Sequence, residues 1–189
     1  MEMSIVLIAI IVIILIAVAV TYNSLIGRRN QVQNAESSID VMLKKRYDLI
    51  PNLVETVKQY TNHEKDLLEN ITALRSKLVT SSLDKPKRLA LENELSQGLQ
   101  QLNISVENYP DLKANENFLN LQYNLNEIES QLSASRRAYN ASVLDYNNGL
   151  DKFPSNIIAN AFNFRREEFF DVYPAERKNP SVKDLFDSE

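Results

Sequence analysis

The run Ile5-Val6-Leu7-Ile8-Ala9-Ile10-Ile11-Val12-Ile13-Ile14-Leu15-Ile16-Ala17-Val18-Ala19-Val20 decides the architecture. No charge interrupts the 25 residues from Met3 to Gly27. A helix needs about 20 apolar residues to cross the ~30 Å of bilayer hydrocarbon, so the sequence predicts a transmembrane helix here. Tyr22 stands where an interfacial aromatic is favoured, and Arg28 and Arg29 flank the membrane and end the run. A cleaved signal peptide competes with this reading, because Ala17-Val18-Ala19 resembles a small-x-small cleavage site. Against it, the Met1-Glu2-Met3 start carries no Lys or Arg and the apolar run exceeds the usual length. A buried core helix is the other alternative. Its 16 consecutive apolar residues would be long for a soluble core.

The flanking charges also orient the span. Glu2 precedes it, whereas Arg28, Arg29, Lys44, Lys45 and Arg46 follow. Positive flanks stay in the cytoplasm. The expected topology therefore has the N-terminus outside and the helical domain in the cytoplasm.

Outward from the apolar run, composition excludes more than it names. Of the 189 residues none is Cys or Trp, one is His and three are Gly. Disulfide and thiol chemistry are excluded, and the scarcity of glycine points to few turns and long elements. The net charge of −4 does not suggest a nucleic-acid surface.

The chain beyond Gly27 keeps a helical period. Phe118, Leu121, Leu125, Ile128, Leu132, Ser135, Tyr139, Val143, Tyr146, Leu150 and Phe153 recur every three or four residues, one seam about ten turns long. Leu91, Leu95, Leu99, Leu102 and Val106 make a shorter one. Turns are expected at Ser81-Ser82-Leu83-Asp84, with Asp84 as a cap and Pro86 in the next first turn, and at Asn108-Tyr109-Pro110-Asp111. A further phase runs unbroken from Val32 to Leu78 with Pro51 inside it. Proline removes one helical bond and kinks or ends a helix. Asn52 and Glu55 have capping-box spacing for a new helix, so kink and break both stand. The transmembrane helix is expected to continue to at least Leu49, 47 residues from Met3 and ~70 Å at 1.5 Å per residue. The fold class is all-α: an N-terminal transmembrane helix continuing into an antiparallel bundle of three to four long helices.

Three blocks resemble the LemA family. They are Tyr22-Asn23-Ser24-Leu25 with Arg29-Asn30-Gln31-Val32; Arg46-Tyr47-Asp48-Leu49-Ile50-Pro51-Asn52-Leu53-Val54-Glu55-Thr56-Val57; and Arg136-Arg137-Ala138-Tyr139-Asn140 followed by Val143, Asp145-Tyr146-Asn147 and Phe153-Pro154-Ser155-Asn156. Residues 78–109 carry no matching signature. The resemblance implies a bacterial membrane-anchored helical bundle with its domain in the cytoplasm. It implies no catalytic residue, cofactor or substrate.

The residues agree in naming no chemistry. His63 is the sole histidine and Tyr60 stands three before it, so the Glu-x-x-His pattern of di-iron bundles is absent. No Gly-x-Ser-x-Gly elbow or Gly-rich phosphate loop occurs. Catalytic, metal and cofactor residues are therefore expected to be none. Arg46, at a seam position, and Arg136, next to Ser135 in the other seam, draw interest because a buried arginine must be paired. They either snorkel or pair with Asp48, Asp145 or Glu129, or form with Tyr139 and Asn140 a polar layer that fixes helix register. Six of the seven Phe lie at or beyond Phe153. Phe164, Phe169, Phe170 and Tyr173 either cap the bundle or form an interaction surface, since aromatics dominate interfaces.

Residues 1–27 thus read as the anchor, 28–162 as the bundle, and 163–189 as an aromatic segment with a polar tail. The expected partners are the lipid bilayer through residues 3–22, a second copy of the chain, or another membrane protein, and no nucleic acid. Two roles follow: a non-enzymatic, self-associating membrane scaffold, or an adaptor of a membrane enzyme such as an envelope protease or quality-control complex.

Overall fold

The computed structural model describes residues 2–61, 63–81 and 83–170. They form four long helices and two short ones: α1 (Glu2–Lys58), α2 (Lys65–Thr80), α3 (Lys85–Val106), α4 (Pro110–Lys113), α5 (Glu116–Asp151) and α6 (Ser155–Ala161). The expected turns after Thr80 and after Val106 are present. Asp84 occupies the N-cap of α3, although its side chain makes no capping bond, and a proline lies in the first turn.

The all-α expectation holds, and α1 is long and apolar enough to cross a membrane. None of its most apolar stretch is buried in protein, which excludes the core-helix reading. Met3 is 82% exposed and Ile13 66%. The helix runs through Gly27 and past Leu49, as expected.

Pro51 lies inside α1 and does not end it. The Asn52–Glu55 capping box therefore does not form. The break falls later, between Lys58 and Lys65, where the apolar phase gave no warning. Thr61 is buried there, and its Oγ1 accepts the His63 N–H at 3.1 Å. Such a hydroxyl-to-backbone bond lets a short polar turn replace helical bonds.

The chain divides into two compact units. The first comprises the described residues up to Glu36 and those from Arg136 on. In it the end of α5 packs on α1 in antiparallel register. A Cβ added at Gly149 would lie 3.3 Å from Leu25 Cδ2 and 3.2 Å from Arg28 Cδ, so the missing side chain is what admits α1 so closely. Arg28 Nη1 donates to the Asp145 carboxylate at 2.5 Å and to its carbonyl at 3.0 Å. Leu25, Val32, Val143, Tyr146, Leu150 and Ala159 supply the core.

The second unit is Ser37–Ser135. Its core joins Ile39, Leu43, Ile50 and Val57 of α1, Leu68, Ile71 and Leu74 of α2, Leu95 and Leu102 of α3, and Phe118 and Leu132 of α5. Gly98 admits α2 closely, because an added Cβ would stand 3.1 Å from Ile71 Cγ1.

This unit also explains how α1 passes a proline. In an α-helix the N–H of residue i+4 donates to the carbonyl of residue i, and Pro51 has no N–H to give to Tyr47. Arg75 of α2 fills the vacancy: its Nε–H donates to the Tyr47 carbonyl at 2.8 Å. Arg75→Met should therefore cost about 1–3 kcal/mol, the usual penalty for stranding a partly buried polar group, read as a lowered denaturation midpoint. With Pro51→Ala, residue 51 regains its N–H and the same change should cost markedly less. Equal costs in both backgrounds would refute the substitution of one donor for the other.

Candidate functional site

Helix α5 carries two Tyr-Asn pairs seven residues apart, Tyr139-Asn140 and Tyr146-Asn147. Asparagine is a poor helix former because its side chain competes for backbone partners. Here the competition is directed outward. The Asn147 Nδ2–H donates to the Glu167 carbonyl at 2.9 Å, and the Glu167 N–H returns a bond to Asn147 Oδ1 at 3.1 Å. Asn140 treats Phe170 likewise, donating at 3.0 Å and accepting at 2.7 Å. The Tyr146 hydroxyl donates to the Arg165 carbonyl and the Tyr139 hydroxyl to the Glu168 carbonyl, each at 3.0 Å.

The spacing is commensurate. Seven helical residues advance ~10.5 Å, and three extended residues advance ~10 Å. The segment after α6 is therefore held antiparallel to α5 as an extended strap, gripped by its backbone at Glu167 and again at Phe170. Its entry is set by Asn163, whose φ of 56° lies in the left-handed region that asparagine tolerates. The Phe164 N–H donates to the Ala159 carbonyl at 2.9 Å and the Asn163 N–H to Asn160 at 3.3 Å, the bond pair of a Schellman stop. Burial pushes the Tyr146 hydroxyl above its ordinary range near 10, with Arg29 lowering it and Glu167 raising it. It stays a donor at neutral pH.

The predicted aromatic surface is partly spent on this strap. Phe170 is half-buried: the Arg136 guanidinium lies 5.1 Å from its ring centroid, and the Tyr139 ring meets it edge-on at 6.1 Å. Phe164 packs edge-on to Tyr22 at 5.7 Å, whereas Phe169 is exposed. Tyr173 and the tail beyond Phe170 lie outside the described residues. Of the membrane-flanking set, Tyr22 stacks with Phe162 and Phe164, Arg28 pairs with Asp145, and Arg29 is exposed.

Arg46 belongs to the other unit and has its own partners. It is 1% exposed. Its Nη2 pairs with Glu92 of α3, and its Nη1 donates to Glu129 of α5 at 2.9 Å and to Ser96 at 3.1 Å. The Tyr47 hydroxyl also donates to Glu92. One buried arginine thus ties α1, α3 and α5, and the expected pairing with Glu129 is present. Of the expected polar layer, Arg46 serves this network, while Tyr139 and Asn140 bond the strap backbone and Arg136 lies over the Phe170 ring. A cleft of about 250 Å³ lined by Arg46, Ser96, Asn103, Phe118, Gln122 and Glu129 adjoins the network. With two carboxylates against one guanidinium, Arg46 has no charge to spare for an anion. Among the described residues no group of three His, Asp or Glu is placed to hold a metal, and His63 is exposed.

Sequence reasoning missed Tyr47, Arg75, Glu92, Tyr146 and Asn147. The heptad repeat of the Tyr-Asn pair was a visible signal for the last two. Nothing local marked Glu92 or Arg75.

The fold and these contacts define an all-helical protein whose long, exposed apolar helix packs further along against an antiparallel partner. The chain belongs to the LemA family: residues 35–183 match the family's sequence profile. It is 28% identical over 163 residues to Protein LemA of Metamycoplasma hominis, covering 86% of this chain and 74% of that one. It is 25% identical over 179 residues to Magnetosome protein MamQ 2 of Paramagnetospirillum magneticum, covering 82% and 66%. Magnetosome protein MamQ of Magnetospirillum gryphiswaldense is 24% identical over the same shares. The chain thus spans about two thirds of the magnetosome proteins' length.

The clasp makes a direct prediction. Asn147→Leu removes two backbone bonds at similar volume. At 0.5–1.5 kcal/mol each, trypsin cleavage at Arg165 and Arg166 should accelerate roughly 5- to 150-fold. An unchanged rate would show that Asn147 does not hold the strap.

Proposed function

We propose that this protein is a non-enzymatic, membrane-anchored helical scaffold that self-associates in a bacterial cell membrane, with its helical domain in the cytoplasm. The observation that carries the reading is α1 itself. Its first third exposes apolar residues on every side, and further along the same helix buries Leu25, Val32, Ile39 and Leu43 in protein. A side chain such as Ile13 left in water forfeits ~1.5–3 kcal/mol of burial, and a bilayer removes that cost. The family resemblance and the Arg28-Arg29 flank support the same arrangement. The polar residues singled out above are engaged in packing, Arg46 between helices and the Tyr-Asn pairs on the strap, which fits an interaction protein.

Self-association is supported by exposed apolar side chains of the second unit, Ile104 on α3 and Tyr123 on α5. The Gln122–Asn103 bond of 2.8 Å sets α5 beside α3 there. Next to it Ile104 is 65% exposed and Tyr123 70%. Calibrated light scattering on the full chain in detergent should give a multiple of 21.6 kDa at micromolar concentration, reduced by Ile104→Lys with Tyr123→Glu. A strictly monomeric mass would overturn the scaffold. Crosslinking in native membranes that recovers a stoichiometric enzyme instead would establish the adaptor role.

Topology has its own test, simplified by the lack of cysteine. His63→Cys places one thiol on an exposed turn. In intact cells it should resist a membrane-impermeant maleimide and react after lysis. Labelling before lysis would put the bundle outside the cytoplasm.

A further inference from the structure

We propose that the α5–α6 corner is a second membrane contact, in which Phe153, Ile157 and Phe162 seat in the headgroup–acyl boundary of the bilayer that α1 crosses. The inference rests on reading α1 as a span, and adds a site that the span does not require.

Three observations carry it. The first is level. Gly149 of α5 lies against Leu25 and Arg28, and the Phe162 ring packs on Tyr22 with centroids 4.9 Å apart. The corner between them is thereby brought to the part of α1 where its all-round exposed apolar run ends. An interfacial aromatic is favoured at that height.

The second is exposure. Phe153 is 81% exposed, Ile157 57% and Phe162 53%. Single exposed apolar residues are ordinary. Three within ten residues, in and at either end of the short helix α6 of one unit, concentrate exposed apolar side chains in the way that marks a membrane or partner surface.

The third is charge. From Lys152 to Arg166 the sequence has three basic residues, Lys152, Arg165 and Arg166, and no acidic one. Asp151 at the edge is paired with Arg166 at 2.9 Å. Arg29 is exposed on the neighbouring face of α1. Glu167 and Glu168 follow Arg166 directly, so Arg29, Lys152, Arg165 and Arg166 outnumber Asp151, Glu167 and Glu168 by one. A slightly cationic border beside apolar side chains suits an anionic lipid surface, into which apolar groups enter ~5–10 Å.

The lack of tryptophan gives a clean probe. Full chains carrying Phe153→Trp, Ile157→Trp or Phe162→Trp would be reconstituted in phosphatidylcholine–phosphatidylglycerol vesicles with brominated acyl chains. Ile11→Trp marks the span. Val41→Trp, 19 residues or ~28 Å beyond Tyr22 along α1, marks water. Helical circular dichroism equal to the parent chain qualifies each variant.

The three corner probes should lose emission to bromines near the headgroups, more than Val41→Trp and less deeply than Ile11→Trp. Their emission should be blue-shifted. If Ile11→Trp is quenched while the corner probes match Val41→Trp, the span stands and the second contact falls. Corner probes that are blue-shifted but unquenched would mean that protein covers the patch instead, which also overturns the proposal. If Ile11→Trp is unquenched, the span reading fails and the proposal with it.

Discussion

One bond lets α1 pass its proline with no carbonyl left open there: the Arg75 Nε–H to the Tyr47 carbonyl. A proline in mid-helix leaves the carbonyl four residues back without its donor. Left open next to the core residues Ile50 and Val54, that carbonyl would carry the penalty of an unsatisfied buried acceptor. Arg75 supplies the donor from α2, and the helix continues with its seam in phase from Ile39 to Val57. The adjacent Arg46–Glu92–Tyr47 network then rests on the same turn of α1. Two consecutive residues there, Arg46 and Tyr47, reach one carboxylate on α3.

That bond also marks where sequence reading stops. The long seam of α5, the turns flanking α3 and the unbroken α1 up to Leu49 follow from period, proline and glycine, which are local signals. Whether Pro51 ends a helix is not local. The donor that meets the open carbonyl is a side chain 28 residues from Tyr47 in sequence, and no pattern around Pro51 announces it. The break after Lys58 was hidden for a similar reason. Its apolar phase continues through the turn, while the buried Thr61 and its bond to the His63 backbone mark the stop.

The strap shows a partial case. An aromatic-rich segment after Phe153 was evident from composition, and its aromatics do serve packing on Tyr22, Arg136 and Tyr139. What holds the segment is different: four side chains of α5 that read backbone. Because the bonds end on carbonyls and N–H groups, they ask of the strap only that it be extended and in register. They leave Arg165, Glu168 and Phe169 facing out, while Arg166 reaches back to the Asp151 carboxylate of α5. The register comes from a numerical match between seven helical residues and three extended ones. A reader who treats Tyr and Asn in a helix as seam and filler will not see it, whereas the pair repeated at seven residues makes it visible.

Helix α1 itself meets two environments, and its sequence changes character between them. Up to Val20 nearly every position is apolar and exposed. From Leu25 on, buried positions recur at Val32, Ile39, Leu43, Arg46 and Ile50, with polar residues between. An element that is apolar all round suits a uniform apolar surrounding, and one with a stripe suits a protein on one side and water on the other. The change occurs over Tyr22–Arg28, where aromatic rings from after α6 and the Asp145 carboxylate of α5 meet the helix. There the polar demands of Arg28 are answered by protein rather than by solvent alone. A charge so placed both ends the apolar run and fixes α5 on α1, so one residue serves the boundary and the packing at once.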